Sequence, residues 1–341
     1  MKSILIQNIE LASGSASGWF DYDESKNGLA TLYRNGKLIV SGYDIESAVR
    51  SPSGEGTVLI IDGPGQLHAA FATSKDDMTP VESCILSLTS MIHGLRPASI
   101  AYCFEGTSER CVRKESFPSY KSERPNKCPK LKYQMVILRQ ALEDCGIPCF
   151  SVEGYEADDC IASLAMNCLK IHSRVVVGSR DKDLRQLSTC GVECRIPSSK
   201  MTQLHIKPEI DHCHFVDYMA MVGDNIDGIP GITGIGEKRA AELVKAHGTL
   251  EEIFVWAQTD DSKLAAAIRN GIDSARLSRE LFSLYVNLPI RLEPFIPSDV
   301  VAACSSYPIS KWVSRKLEKA INESGQHYVD REEMRSTESD D

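Results

Sequence analysis

Acidic residues recur along this chain at the ends of short apolar runs, and that placement restricts the fold more than any other feature. Asp62 closes the run Val58–Ile61, and Glu105 closes Ser99–Phe104. Glu156, Asp158 and Asp159 open a helix-like stretch, Asp181 and Asp183 follow Val175–Val177, and Asp224 and Asp227 lie in a glycine-bearing segment. Between the strand-like runs, Thr79–Leu95, Leu131–Cys145 and Ala157–Leu169 have helical spacing, and Pro148–Val152 reads as a further strand. The alternation predicts an α/β fold, a mostly parallel central sheet flanked by helices. Ligands of such sheets sit beyond the carboxyl ends of the strands, where most of these acids would converge. Gathered carboxylates repel one another and lose hydration unless cations neutralise them. The expectation is therefore a site for hard divalent ions, Mg²⁺ or Mn²⁺, and phosphate chemistry. Any one group is equally explained by capping and solubility, because a helix N-terminus favours acids; a shared edge for all of them argues against that reading.

Residues 1–55 read differently. Thr31–Val40 suggests a β-hairpin about Asn35-Gly36, and residues 51–56 a linker, so the front is expected to be a small β-rich extension. The α/β domain is expected over 56–205, a mostly helical subdomain over 206–325, and a polar tail without regular structure over 326–341. No apolar run approaches the ~18 residues of a membrane span. The first residues lack a signal pattern, and early acids with no Arg before Arg34 speak against a transit peptide. Twelve cysteines in no regular framework read as reduced thiols, consistent with a cytoplasmic setting. His205, His212, Cys213 and His214 raise the thought of zinc, but no CxxC partner accompanies them.

The formal net charge of −9 looks wrong for a nucleic-acid binder, yet distribution matters more than the total. Residues 106–132 carry eight basic and three acidic side chains, a net +5. Alone, that segment reads equally well as a solvated basic face; its position between two acid groups favours a role at the site. A second signal is Gly228-Ile-Pro-Gly231-Ile-Thr-Gly234-Ile-Gly236-Glu-Lys238-Arg239. Here glycines permit a tight turn before a helix near Glu237, whose first amides, with Lys238 and Arg239, suit a DNA phosphate. A nucleotide fingerprint or a plain turn would share some of these glycines. No strand leads into the motif and Pro230 interrupts it, which disfavours the fingerprint.

Together, LIIDG (59–63), YCFEG (102–106), RKESFPSYKSER (113–124), GYEADD (154–159), SRDKDLRQL (179–187) and GDNIDGIPGITGIGEKRAAEL (223–243) resemble, in order and spacing, the 5′→3′ exonuclease and flap endonuclease family over roughly residues 57–290. The family includes the 5′-nuclease domain of bacterial DNA polymerase I, phage flap endonucleases and stand-alone bacterial homologues. The resemblance implies a PIN-like 5′-nuclease fold with a C-terminal helix–hairpin–helix DNA-binding subdomain, and a two-metal phosphodiesterase. It places one Mg²⁺ among Asp62, Glu105, Glu156 and Asp158. A second falls among Asp159, Asp181, Asp183, Asp224 and Asp227, some acting through water; Mn²⁺ is an alternative ion. Lys121 and Arg113 match basic residues that contact the scissile phosphate, and the basic segment matches an arch that passes a 5′ single strand. Arg124, with Phe117 and Tyr120 stacking on bases, would serve DNA there; Gly234, Gly236, Lys238 and Arg239 would hold duplex. Backbone carbonyls near Ile232 and Ile235 would hold K⁺.

The implied partner is DNA with a 5′ flap or 5′ end, or an RNA-primed end, in replication and repair, bound by a monomer with no membrane contact. Three positions depart from the family pattern: Glu105 where Asp is usual, no Arg shortly after Asp62-Gly63, where PGQLHAAFA offers only His68, and Gly228 where Asn is common. Two other readings stand beside the nuclease: a branched-DNA binding protein without catalysis, and a PIN-like ribonuclease. The retained acids oppose the first, and the duplex clamp opposes the second.

Overall fold

The structure, a computed structural model, describes residues 2–11, 14–24, 29–34, 37–44, 54–73, 79–106, 110–125, 128–170, 172–198, 201–204, 210–292 and 299–338, with residues 2–55, 173 and 325–338 described by backbone alone. The chain divides into two units, Met1–Gly54 and Glu55–Asp341. In the first, β1 (Lys2–Leu11), β2 (Gly14–Glu24), β3 (Leu29–Arg34) and β4 (Lys37–Asp44) form an antiparallel sheet in sequence order. Arg34 pairs with Lys37 across β3 and β4, which is the register expected of the hairpin; its turn residues lie outside the described residues.

The second unit is built on a five-stranded sheet of order β7-β6-β5-β8-β9. Its strands are β5 (Gly54–Asp62), β6 (Ser99–Cys103), β7 (Cys149–Phe150), β8 (His172–Gly178) and β9 (Glu193–Arg195). β5 pairs parallel with β6, β6 with β7 and β8 with β9. β5 begins inside the stretch read as a linker, because Gly54 already extends it. Strand alternation sorts the core into two layers. Leu59, Ile61, Ile100 and Tyr102 meet one hydrophobic cluster, whereas Val58, Ile60, Ala101 and Cys103 meet another.

On the first face lie α1 (Gly63–Thr73), α2 (Pro80–Leu95) and α4 (Pro129–Asp144), joined by α11 (Val300–Cys304) and α12 (Lys311–Glu338); α3 (Val112–Ser116) lies in the basic segment. On the second lies α5 (Ala157–Cys168), nine of whose twelve residues are buried, so the helix is enclosed on most of its faces. α2 starts on a Thr79 cap, whose hydroxyl accepts the Glu82 amide at 3.2 Å, with Pro80 in its first turn. α1 was not legible as a helix in the sequence. The backbone of residues 326–338, expected as a tail without regular structure, continues α12.

Helices α6 (Phe215–Val222), α7 (Glu237–His247), α8 (Leu250–Thr259), α9 (Lys263–Asn270) and α10 (Ile272–Phe282) enclose a third core. The connection from α6 to α7 is held by backbone. Asp224 and Ile229 exchange both amide bonds (2.9 and 2.8 Å), and Ile232 N donates to Met221 O at 2.7 Å. Gly231, at φ +63°, lies so close to the start of this hairpin that a Cβ would meet Gly223 N at 2.6 Å and Met221 O at 2.7 Å. Gly231→Ala is therefore expected to lower the thermal midpoint, since an L-residue there costs roughly 1–2 kcal/mol before any clash. Gly94→Ala, inside α2 with nothing near its Cβ, is expected to leave the midpoint unchanged or raise it. Equal midpoints for the two variants, measured by circular dichroism, would contradict this packing.

Candidate active site

Asp62, the last residue of β5, is buried; its Oδ1 accepts the Gly65 amide at 2.8 Å and its Oδ2 accepts the Ser179 hydroxyl at 2.7 Å. Burial raises its carboxyl, the two hydrogen bonds oppose that, and Asp181 and Glu105 raise it further. Glu105 lies two residues past β6 and is exposed. Asp158, in the first turn of α5, is held well above the carboxylate range by burial and then by Asp181, Asp62 and Glu156. Asp181, just beyond β8, accepts the Asp183 amide at 2.8 Å. The Asp183 carboxyl is pushed up to about 7 by burial and then by Asp181, Asp224 and Asp227, with Lys182 opposing. Its Oδ1 is buried without a hydrogen-bond partner.

These mutual effects join eight of the nine expected acids into one electrostatic group. The structure thus brings together acids that are 165 positions apart in sequence, Asp62 and Asp227. Their placement follows from topology: each strand of a parallel sheet delivers its carboxyl end to the same edge. Asp224 and Asp227 arrive on the hairpin between α6 and α7.

The ninth acid behaves differently. Asp159 is fully buried, and its two oxygens take Arg113 in a bidentate pair at 2.6 and 2.8 Å, besides the amides of Tyr285 (3.0 Å) and Glu156 (3.2 Å). Arg113 gives its remaining N–H groups to Leu281 O (2.9 Å), Ser283 O (3.0 Å) and Glu156 Oε2 (3.4 Å). All five donors of the guanidinium are therefore engaged within the protein. In this arrangement Asp159 anchors Arg113, and Arg113 secures the basic segment to the chain that follows α10.

Tyr120 also departs from expectation. Its ring is buried in the helical core and its hydroxyl donates to Glu156 Oε2 at 2.9 Å, so it has no open face for a base. Phe117 is half-buried against the same core. Lys121 meets Glu156 directly and stands 4.0 Å from Asp227, and Arg124 Nε donates to Asp227 Oδ1 at 2.6 Å. Burial works to raise the Glu156 carboxyl, but Lys121 and Arg113 outweigh it and hold the group below its usual range. The base of the basic segment is stapled to the hairpin: Lys121 N donates to Asp227 O at 2.8 Å, and a Cβ at Gly228 would come 3.0 Å from Ser119 O. Gly228 sits at φ +70°, a conformation that glycine and asparagine share, which accounts for this departure from the family pattern.

Sequence reasoning missed two contributors. Ser179 joins the ends of β5 and β8 through Asp62 and the Asp181 amide (3.0 Å), and Lys182 donates to Asp224 Oδ2 at 3.2 Å. The tripeptide Asp181-Lys182-Asp183 was the available signal for Lys182; Ser179 opens the motif SRDKDLRQL but carries no charge to single it out. On the hairpin, Gly234, Gly236, Lys238 and Arg239 are exposed, Gly236 caps α7 without a side chain, and Arg239 donates to Gly234 O at 2.8 Å. Ile232 and Ile235 are buried, and Ile232 O accepts the Ile235 amide at 3.0 Å. The zinc thought finds no support: Arg185 Nε donates to His212 Nδ1 at 2.8 Å, and His205 lies outside the described residues.

Among the described residues, no three His, Cys, Asp or Glu side chains already surround one point as a metal sphere requires. The physical reason is visible: Glu156, Asp227 and Asp224 are turned onto Lys121, Arg124 and Lys182. The donor set nevertheless fits a hard divalent cation. It is all oxygen, its members destabilise one another when ionised, and the orphaned Asp183 Oδ1 lacks any partner.

Residues 57–211 match the family described as "5'-3' exonuclease, N-terminal resolvase-like domain", and residues 210–298 its "C-terminal SAM fold". The chain is 31% identical over 247 residues to a 5'-3' exonuclease of Aquifex aeolicus, covering 69% of this chain and 84% of that protein. It is also 31% identical over 241 residues to a flap endonuclease Xni of a Shewanella species, covering 69% and 92%. A DNA polymerase I of Rhizobium leguminosarum is 31% identical over 258 residues, but the chain spans only 25% of its length. In fold, a T5 5'-exonuclease bound to zinc matches with a TM-score of 0.58 at 18% identity, over 79% of this chain and 99% of that one. The fold is that of a PIN-like 5′-nuclease with a helical SAM-like domain. The chain belongs to the 5′-3′ exonuclease and flap endonuclease family.

The raised Asp183 carboxyl has a consequence for stability. The folded state holds that proton up to about pH 7, whereas the unfolded chain releases it near the ordinary carboxylate value. Its contribution is thus complete at low pH and is lost as pH rises to about 7. In EDTA, the thermal midpoint of the wild type is expected to fall more steeply between pH 5 and pH 7.5 than that of Asp183→Asn. Parallel slopes would contradict the burial and crowding of this group.

Proposed function

We propose that this chain is a metal-dependent 5′-nuclease that hydrolyses DNA phosphodiesters at a 5′ single-stranded flap or 5′ end, RNA-primed ends included, in replication and repair. The observation that carries the reading is the carboxyl edge of the sheet, where eight acids crowd and Asp183 keeps an unsatisfied buried oxygen. Two Mg²⁺ ions, or Mn²⁺, would supply an activated water and charge neutralisation at the leaving 3′-oxygen. Asp62, Glu105, Glu156 and Asp158 would hold one, and Asp181, Asp183, Asp224 and Asp227 the other, several through water.

The chain's own residues prepare the site in three ways. Ser179 and the Gly65 amide fix Asp62. Lys121, at φ +54° on the rim of the acids, is placed to leave Glu156 for a substrate phosphate and stabilise the charge that develops there. Arg124 stands ready in the same way on Asp227. Duplex DNA would lie along the α7 end, where open helix amides, Lys238 and Arg239 offer donors that do not read sequence. Ile232 O keeps one lone pair, and with Ile235 O it offers carbonyl oxygens to K⁺ at the hairpin. Monomeric action fits a site built wholly from one unit. No helix among the described residues is long and apolar enough to cross a membrane, in keeping with a cytoplasmic assignment.

The test is a 5′-labelled flap duplex incubated with the protein in Mg²⁺ and in EDTA. Release of the flap near the junction in Mg²⁺ alone is expected. Asp181→Ala with Asp183→Ala is expected to abolish cutting while sparing binding in Ca²⁺. Binding without cutting in either Mg²⁺ or Mn²⁺ by the wild type would instead favour a branched-DNA binding protein.

A further inference from the structure

Every other cation beside the acidic edge is spent on a carboxylate: Arg113 on Asp159, Lys121 on Glu156, Arg124 on Asp227 and Lys182 on Asp224. Arg180 is not. It stands between Ser179, which binds Asp62, and Asp181, yet it is exposed and in no ion pair among the described residues. It lines a cleft of about 360 Å³ between α1 and α2, walled mainly by small side chains such as Ala69, Ala72, Ser83 and Ser87, with Gly65 at the end nearest Asp62. Gly65 donates its amide to Asp62, which ties one wall of the cleft to the acidic edge.

Three properties of this place point to its ligand. A guanidinium that ignores adjacent carboxylates leaves its fork open to an incoming anion, and phosphate is the anion its geometry fits. The cleft volume lies within the ~300–1,000 Å³ range of small-ligand pockets, and small walls admit a planar group. Gln66, the one amide side chain in the wall, is committed at both ends: its Nε2 donates to Cys84 O (3.4 Å) and its Oε1 accepts the Tyr102 hydroxyl (2.9 Å). The cleft therefore has no amide free to read a base edge.

We infer that Arg180 and the α1–α2 cleft form a nucleotide subsite: Arg180 pairs with a DNA phosphate adjoining the cleaved bond, and the cleft takes the sugar and base of that nucleotide without reading its identity. Arg180 then supplies the cation that the segment after Asp62 lacks, delivered from the end of β8 instead of from the start of α1. This inference rests on the nuclease reading, and it concerns substrate binding rather than the chemical step.

The experiment is steady-state cutting of a 5′-flap duplex in Mg²⁺, with binding in Ca²⁺ followed across a salt series. The proteins are wild type, Arg180→Ala, Arg180→Lys and Ala69→Phe, each checked for an unchanged circular dichroism spectrum and thermal midpoint. Arg180→Ala is expected to raise KM about tenfold with kcat within about twofold, and to flatten the salt dependence of log Kd by roughly one phosphate, a slope change of ~0.9. Arg180→Lys should recover part of the loss, because Lys keeps the charge without the fork. Ala69→Phe, which fills the cleft but keeps Arg180, should raise KM and leave the salt slope as in the wild type. Wild-type cutting with unchanged KM and slope in Arg180→Ala overturns the subsite. A fall in kcat alone also overturns it, placing Arg180 in the chemical step. Absence of wild-type cutting is the failure of the nuclease reading instead; the salt slope in Ca²⁺ still decides whether Arg180 holds a phosphate.

Discussion

The buried pair of Arg113 and Asp159 is the interaction on which the site depends. It joins three parts of the chain: the basic segment at α3, the first turn of α5, and the segment leaving α10. The two oxygens of Asp159 and the five donors of Arg113 are all satisfied, which is what makes a buried ion pair tolerable. Removing one partner of such a pair typically costs about 3–5 kcal/mol, because the other is left charged and buried. With Asp159 turned inward as an anchor, its neighbours Glu156 and Asp158 are left to face the other acids. The pair therefore fixes the floor of the site.

Above that floor, charge is held in an unrelaxed state. Asp62, Asp158 and Asp183 are all raised by burial and then by neighbouring carboxylates, Asp181 in each case, and protein cations answer only some of the repulsion. A core built for stability alone would replace such a cluster with apolar residues of similar volume, which is often neutral or stabilising. Its retention costs stability in a way that divalent cations can offset, the usual relation between a strained site and the ligand it serves. The cations that pair with the acids sit on the basic segment and on the Asp181-Lys182-Asp183 turn.

Much of this was legible in the sequence, and the failures have physical causes. Strand-like runs ending in acids gave the parallel sheet and its functional edge, since periodicity and the carboxyl-end rule are local and general. The glycine hairpin was readable for the same reason: positive φ at Gly228, Gly231 and Gly234 is a backbone demand that few residues meet. What failed was the division of labour among like residues. Asp158 and Asp159 are adjacent and chemically alike, and only the position of Arg113 decides which is anchor and which faces the site. Tyr120 and Phe117 looked available for stacking because a sequence does not show which aromatic rings a distant helical core will absorb. Helix α1 was missed because its glycines and alanines give weak amphipathic contrast. Arg180 drew no notice because its meaning lies in the partner it lacks.

The most direct measurement is the thermal midpoint of the protein at pH 7.5 as Mg²⁺ is raised from zero in EDTA to the order of 10 mM. Binding to the folded state alone stabilises by about 2.7 kcal/mol when the ion reaches 100 times its Kd. A saturable rise in the midpoint, absent in Asp158→Asn with Asp181→Asn, is the result expected of acids that crowd in order to hold divalent ions. A midpoint that does not respond to Mg²⁺ or Mn²⁺, or that rises equally in the double variant, would contradict a metal site at this edge.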